Sequence, residues 1–168
     1  MKNFIQIFAF LLFTNFAFAQ NDNVDPEYQL HHDKLKELNI KRIHSESYID
    51  WKKTYDGYML KARYEENRNN IKDIGRLGAW VRTNLSKTNF KSIKDADHDW
   101  EELLSMLKFE HVDNNDFHEY FNKVLALPYG PKLIALVDTE IMSEYPKMFG
   151  LTKEKADKLK EMLKKQQE

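Results

Sequence analysis

The chain has 168 residues, with 26 basic and 27 acidic side chains and a formal net charge of −1 at pH 7. Proteins that bind nucleic acid usually carry a clustered excess of lysine and arginine, so this balance argues against a nucleic-acid partner. The absence of cysteine excludes disulfides, cysteine-ligated metal sites and a thiol nucleophile. The fold must therefore be held together by packing alone.

The amino-terminal segment has the three parts of a secretory signal peptide. Lys2 supplies a positive charge, residues 7–13 form a short apolar run, and residues 17–19 read Ala-Phe-Ala, a typical cleavage site. An uncleaved membrane anchor is the alternative, but the polar residues 14–15 end the apolar run well short of the roughly 20 residues that span a bilayer. We therefore predict a signal peptide over residues 1–19 and export to the periplasm or the outside of the cell.

Removal of that signal peptide would leave 149 residues, a usual size for one domain. Residues 20–25 are polar and typical of a flexible leader. Residues 26–168 are predicted to form a single helical domain. No later stretch is long and apolar enough to span a bilayer, so we expect no transmembrane segment in the mature chain.

The first half of the mature chain carries strong helix signals. Asp25 and Pro26 suit the cap and the first position of a helix. Residues 48–85 repeat apolar side chains at helical spacings of three and four, with a polar interruption at residues 65–70 that has low intrinsic helix preference. The pattern leaves open whether this region is one helix or two that break near residues 69–70.

Loops and turns divide the second half of the chain. Residues 83–91 are predicted to be a loop, after which Ser92 caps the next helix. Residues 127–131 read Leu-Pro-Tyr-Gly-Pro and must end a helix, because proline cannot donate a backbone hydrogen bond. The apolar run 133–137 suits either a buried strand or a buried helix, and helical spacing favours a helix from 131 to about 144. These signals predict an all-α fold, a compact bundle of about five to seven amphipathic helices.

Residues 92–102, SIKDADHDWEE, contain five carboxylates and a histidine. The alternating acids match the first half of a calcium-binding EF-hand loop, but Trp100 stands where that loop needs glycine and Met106 where it needs a bidentate glutamate. A helix start explains the stretch better, with Ser92 as its cap and Asp95 in its first turn.

On that helix Asp95, His98 and Glu102 would share one face, which could contribute to a transition-metal site. A zinc ion would need a further ligand from another segment. The candidates for that ligand are His111, His118 and the pair His31 and His32. No H-E-x-x-H motif and no pair of E-x-x-H motifs is present. The alternatives to a metal site are an ordinary solvated helix face and local salt bridging.

Four aromatic side chains also share one predicted helix face, at spacings of three and four: Tyr48, Trp51, Tyr55 and Tyr58. Tyrosine and tryptophan are enriched at binding surfaces, so this stripe is the best candidate for a binding site. The alternative is that the four rings simply form part of the core.

The sequence contains no G-x-S-x-G motif, no phosphate-binding glycine loop and no motif for a cofactor. We therefore predict an exported, non-enzymatic helical module that binds a protein, a peptide or a component of the cell envelope. The alternative is a metal-binding protein or metal-dependent hydrolase that uses the histidine and carboxylates of residues 95–102. Neither the ligand nor the oligomeric state is indicated.

Overall fold

The computed structural model describes residues 25–71 and 74–165. In these ranges the chain forms eight α-helices, four short 3-10 segments and no strand. The predicted all-α class is confirmed, and the number of helices is one above the predicted range. No helix within the described ranges is long and apolar enough to cross a membrane. The predicted signal peptide, and the leader apart from Asp25, lie outside the described residues.

The eight helices are α1 (Pro26–Ile43), α2 (Glu46–Lys61), α3 (Tyr64–Asn67), α4 (Leu77–Thr83), α5 (Ile93–Asp113), α6 (Asn115–Leu125), α7 (Gly130–Glu144) and α8 (Lys153–Lys165). The 3-10 segments are Arg68–Asn70, Ile74–Arg76, Leu85–Lys87 and Pro146–Phe149. Contacts divide the described residues into two compact units. Unit 1 comprises residues 46–113, with 72–73 undescribed, and unit 2 comprises residues 25–45 and 114–165. The single domain expected over 26–168 stays a prediction.

In unit 1, α2 and α4 both pack against α5. The ring of Tyr58 lies 5.1 Å from Phe90 and 5.1 Å from Trp100, measured between ring centroids, and so joins α2 to α5 and to the preceding loop. At Gly78 an added Cβ would lie 2.9 Å from the Trp100 ring, so glycine is needed for α4 to approach α5 closely. Burial of these rings stabilises the unit, each by about 1.5–3 kcal/mol.

The region 48–85 forms separate helices: α-helical structure is interrupted at residues 68–71, close to the predicted break near residues 69–70, and also earlier, after α2. The helix α2 ends at Lys61, and Arg63 has a left-handed backbone with φ 49°. The buried side-chain amide of Asn67 donates hydrogen bonds to the carbonyls of Ala62 (3.4 Å) and Arg63 (3.0 Å). These bonds satisfy carbonyls at the end of α2, and the single-turn helix α3 that follows accounts for the helix count above the prediction.

In unit 2, α1, α6 and α8 pack against α7, the most apolar of the four helices. The predicted helix over 131–144 is confirmed, and it begins one residue earlier, at Gly130. Within α7, Leu133, Val137 and Ile141 are fully buried. The first helix begins as predicted, since Asp25 accepts a hydrogen bond from the Glu27 backbone at 2.9 Å and Pro26 occupies the first position.

Candidate functional site

The structure places most of the predicted aromatic stripe inside unit 1. Tyr48, Trp51 and Tyr58 are 1%, 8% and 2% exposed. The Trp51 ring lies 5.5 Å from the Tyr48 ring and 5.4 Å from the Tyr55 ring, so these three rings form a row of tilted contacts. Three of the four rings therefore have almost no surface for a ligand, and Tyr55 alone is partly exposed.

Tyr55 lines a groove of about 440 Å³ at the carboxyl end of α2. We call it the Tyr55 groove. It is formed by the last two turns of α2, the segment that follows and one residue of the loop before α5. Its lining residues are Tyr55, Asp56, Met59, Leu60, Arg63, Tyr64, Glu65, Glu66 and Asn89. The predicted stripe thus reaches the surface at one ring, within a concave site.

Local backbone geometry shapes this groove. The left-handed conformation of Arg63 costs about 1–2 kcal/mol for a residue other than glycine, so other contacts must hold it in place. The backbone N–H of Asn89 donates to the Lys61 carbonyl at 2.7 Å, and the Asn67 side chain donates to the Lys87 carbonyl at 3.1 Å. These two bonds attach the loop before α5 to the end of α2 and to the end of α3, on either side of the groove residues 63–66.

The groove combines apolar surface with an acidic rim. Leu60 is 75% exposed, and Met59 is half-buried beside it. Three carboxylates line the site against a single guanidinium, that of Arg63. Arg63 pairs with Glu66 and holds the pKa of that carboxyl below its usual value. Glu65 is exposed and has no ion-pair partner among the described residues.

The carboxyl end of a helix adds partial negative charge from its last carbonyl groups, so the position also favours cations. Burial raises the pKa of Tyr55, and the neighbouring Tyr64 and Asp56 raise it further. Its phenol therefore stays neutral at physiological pH and can donate a hydrogen bond to a ligand. The site thus offers the apolar side chains of Met59 and Leu60, a phenol donor and the carboxylate of Glu65, the one of its three carboxylates that is unpaired in the described part of the chain, since Asp56 pairs with Lys52 and Glu66 with Arg63.

The predicted metal residues Asp95, His98 and Glu102 all lie on α5 without converging on a further ligand. His98 and Glu102 are exposed, and within the described residues this trio does not bring three ligand atoms within 4.8 Å of one another. The second histidine of unit 1, His111, is thirteen residues further along the same helix, roughly 20 Å away at 1.5 Å per residue. The histidines His31, His32 and His118 belong to unit 2.

The carboxylates of this stretch have structural partners. Asp95 Oδ2 accepts from the Lys91 backbone at 3.0 Å, while its own N–H donates to Ser92 Oγ at 3.1 Å, so the predicted helix start is confirmed. The next carboxylates form ion pairs with neighbouring helices. These pairs are Arg82 with Asp97 at 2.6 Å and Lys61 with Asp99 at 2.6 Å.

A polar row between α1 and α7 in unit 2 was not predicted. It pairs His32 with Glu140 at 3.2 Å, Lys36 with Glu140 at 2.8 Å and with Glu144 at 2.7 Å, and Asn39 with Asp138 at 3.0 Å.

Burial raises the pKa of the Asp138 carboxyl to about 6, although Arg42 and Asn39 act in the opposite direction. The hydrogen bond that His32 donates to the Glu140 carboxylate raises the pKa of His32. The helical spacing of His32, Lys36 and Asn39 was the available sequence signal.

The polar row is a structural contact, because its side chains are paired across two helices and little of their surface remains for a ligand. The Tyr55 groove is therefore the better candidate for binding. Comparison of the chain with protein-family models, with curated proteins and with solved structures finds no match.

Proposed function

We propose that the protein is an exported, non-enzymatic binding module that takes a segment of a partner polypeptide in the Tyr55 groove. The segment would carry a large apolar side chain next to a lysine or arginine. The observation that carries this proposal is the combination of the exposed Leu60 and the half-buried Met59 with an acid-rich rim in one concave site.

The apolar contact supplies most of the affinity. Covering Leu60 and Met59 with a ligand side chain removes apolar surface from water, and complete burial of such a side chain is worth about 1.5–3 kcal/mol. Methionine adapts its shape to different partners, which suits a site that accepts related sequences.

The lysine or arginine of the bound segment would fix its orientation in the groove. Its charge would lie near Glu65 and the faces of the Tyr55 and Tyr64 rings, where a cation–π contact contributes about 0.5–1 kcal/mol. An exposed ion pair adds about 0–1 kcal/mol. These terms add up to about 2–5 kcal/mol, so we expect weak binding, in the millimolar range, because about 4 kcal/mol corresponds to 1 mM.

Two further considerations favour this function over the metal-dependent alternative. The amino-terminal pattern of a charge, an apolar run and an Ala-x-Ala site supports export. The alternative would require His98 to meet a second imidazole or a third carboxylate. The only other histidine of unit 1 is roughly 20 Å along the same helix, and Asp97 and Asp99 are engaged in ion pairs.

Selection from a random peptide library on the immobilised protein tests the proposal. Enriched peptides should share a large apolar residue next to lysine or arginine. A labelled peptide of that kind should bind Leu60→Ser and Glu65→Lys at least about tenfold more weakly than the unmodified protein, a loss of about 1.4 kcal/mol.

The matched control is Val112→Ser, because Val112 is 70% exposed, lies in the same unit and is outside the groove. Its affinity should equal that of the unmodified protein. Enrichment of acidic or purely polar peptides would contradict the proposal, and so would equal losses in the control and groove variants.

A further inference from the structure

The carboxyl-terminal helix α8 carries a second surface with a different chemistry. It has six lysines and three acids over Lys153–Lys165. Lys155, Lys158, Met162 and Lys165 follow one another at spacings of three, four and three, so they lie on one face of the helix. We call this the Met162 face.

The Met162 face is open. Its three lysines are exposed, and Met162 is 54% exposed. The helix α8 packs against α7, and Ala156 is the one residue of α8 that is buried. The half-buried Leu159 and Leu163 lie beside Met162 on the helix surface, at spacings of three and one. Met162 therefore lies among Lys155, Lys158 and Lys165 at the edge of the apolar side of the helix, with Glu154 and Glu161 as the nearest acids.

We propose that the Met162 face binds the surface of a bilayer rich in anionic headgroups. Lysine side chains can keep their ammonium groups among lipid phosphates while their methylene stems and the methionine enter the interfacial region. A helix with a charged polar face and modest overall hydrophobicity lies in the plane of the interface without spanning the bilayer. This inference is independent of the Tyr55 groove.

The local positive charge of the Met162 face favours an anionic membrane surface as its partner. Each lysine near an anionic membrane surface strengthens binding by roughly fivefold, and the attraction falls off within a Debye length of about 10 Å at 0.1 M salt. The protein as a whole has a net charge of −1, so it gains no general attraction to an anionic surface. Attraction must come from a local patch. Lys158 already forms an ion pair with Glu154 at 2.7 Å, and it must exchange that carboxylate for a lipid phosphate.

Co-sedimentation with vesicles tests the proposal. The protein should sediment with phosphatidylcholine vesicles that contain about 30 mol % phosphatidylglycerol in about 0.1 M salt, and not with pure phosphatidylcholine. Replacing Lys155, Lys158 and Lys165 together by glutamine should lower the partition constant on the order of a hundredfold. Met162→Ser alone should lower it severalfold.

The matched control replaces the exposed Lys87, Lys91 and Lys94 of unit 1 by glutamine, which changes the net charge by the same amount. Its binding should stay within about twofold of the unmodified protein. Circular dichroism establishes that each variant is folded. The proposal is wrong if the unmodified protein does not sediment with anionic vesicles, if neutral vesicles bind as well, or if the control loses as much affinity. It is also wrong if heparin binds this face while vesicles do not.

Discussion

Replacing Asp138 by asparagine should stabilise the protein at neutral pH. Burial raises the pKa of Asp138 from 3.8 to about 6. A shift of roughly two units corresponds to about 3 kcal/mol of unfavourable free energy when the carboxylate is ionised in the folded state. Asparagine has nearly the same shape, and its side-chain oxygen can accept the hydrogen bond from Asn39, which spans 3.0 Å. The pKa of about 6 already includes the attraction to Arg42, so we expect a gain of at most about 3 kcal/mol.

The size of the stability difference between Asp138→Asn and the unmodified protein depends on pH. Below about pH 4 the carboxyl is protonated in both the folded and the unfolded state, so it costs nothing. Between about pH 4 and 6 the unfolded chain releases its proton first, and the stability of the unmodified protein falls relative to the variant. Above about pH 6 the full difference is present.

Urea unfolding followed by far-ultraviolet circular dichroism, repeated between about pH 4 and 7, measures this difference. Asp157→Asn is the control, since Asp157 is exposed on α8 in the same unit. The control should change the free energy of unfolding by less than about 0.5 kcal/mol at every pH. If Asp138→Asn were no more stable than the unmodified protein at pH 7, or if its advantage did not shrink toward pH 4, the assignment of a buried, destabilising carboxylate would be refuted.

Two further substitutions test the packing and electrostatics of unit 2. A Cβ added at Gly130 would lie 1.9 Å from the Val124 carbonyl oxygen. Gly130→Ala should therefore lower the free energy of unfolding by at least about 2 kcal/mol. An unchanged urea midpoint would contradict this contact. The hydrogen bond that His32 donates to Glu140 raises the pKa of His32, so the stabilisation from this pair is complete below about pH 6 and is lost as the pH rises through the raised pKa. The stability gap between the unmodified protein and His32→Gln should therefore be about 1 kcal/mol near pH 5 and smaller at pH 8, and a gap that grows with pH would contradict it.

Sequence signals that lie within a few residues of one another were sufficient to predict much of the fold. The Asp25-Pro26 start, the Ser92 and Asp95 helix start and the helix over 131–144 depend on local caps and apolar spacing, and all three are present in the structure. The polar interruption at residues 65–70 predicted the irregular region around residues 68–71. The earlier end of α2, at Lys61, was not predicted, because the Lys61 carbonyl accepts a hydrogen bond from the Asn89 backbone and a contact between residues so far apart has no local signature.

The candidate site also depends on contacts between residues that are distant in the sequence. Helical spacing shows that Tyr48, Trp51, Tyr55 and Tyr58 share a face, but it does not show which part of that face α5 covers. Asp95, His98 and Glu102 looked like metal ligands because helical spacing shows that they share a face, but it does not show whether a further ligand from another segment meets that face. The Tyr55 groove was also hidden, because Asn89 joins its wall through a backbone bond to Lys61.

The central claim is that the Tyr55 groove is the ligand site. Backbone chemical-shift mapping of isotope-labelled protein, titrated with a library-selected peptide that carries an apolar and a basic residue, tests it most directly. The largest shift changes should fall on residues 55–66 and on Asn89, and Leu60→Ser should need at least about tenfold more peptide to produce them. Changes concentrated on the exposed face of α5 around Phe109 and Val112, with the groove unaffected, would contradict the account.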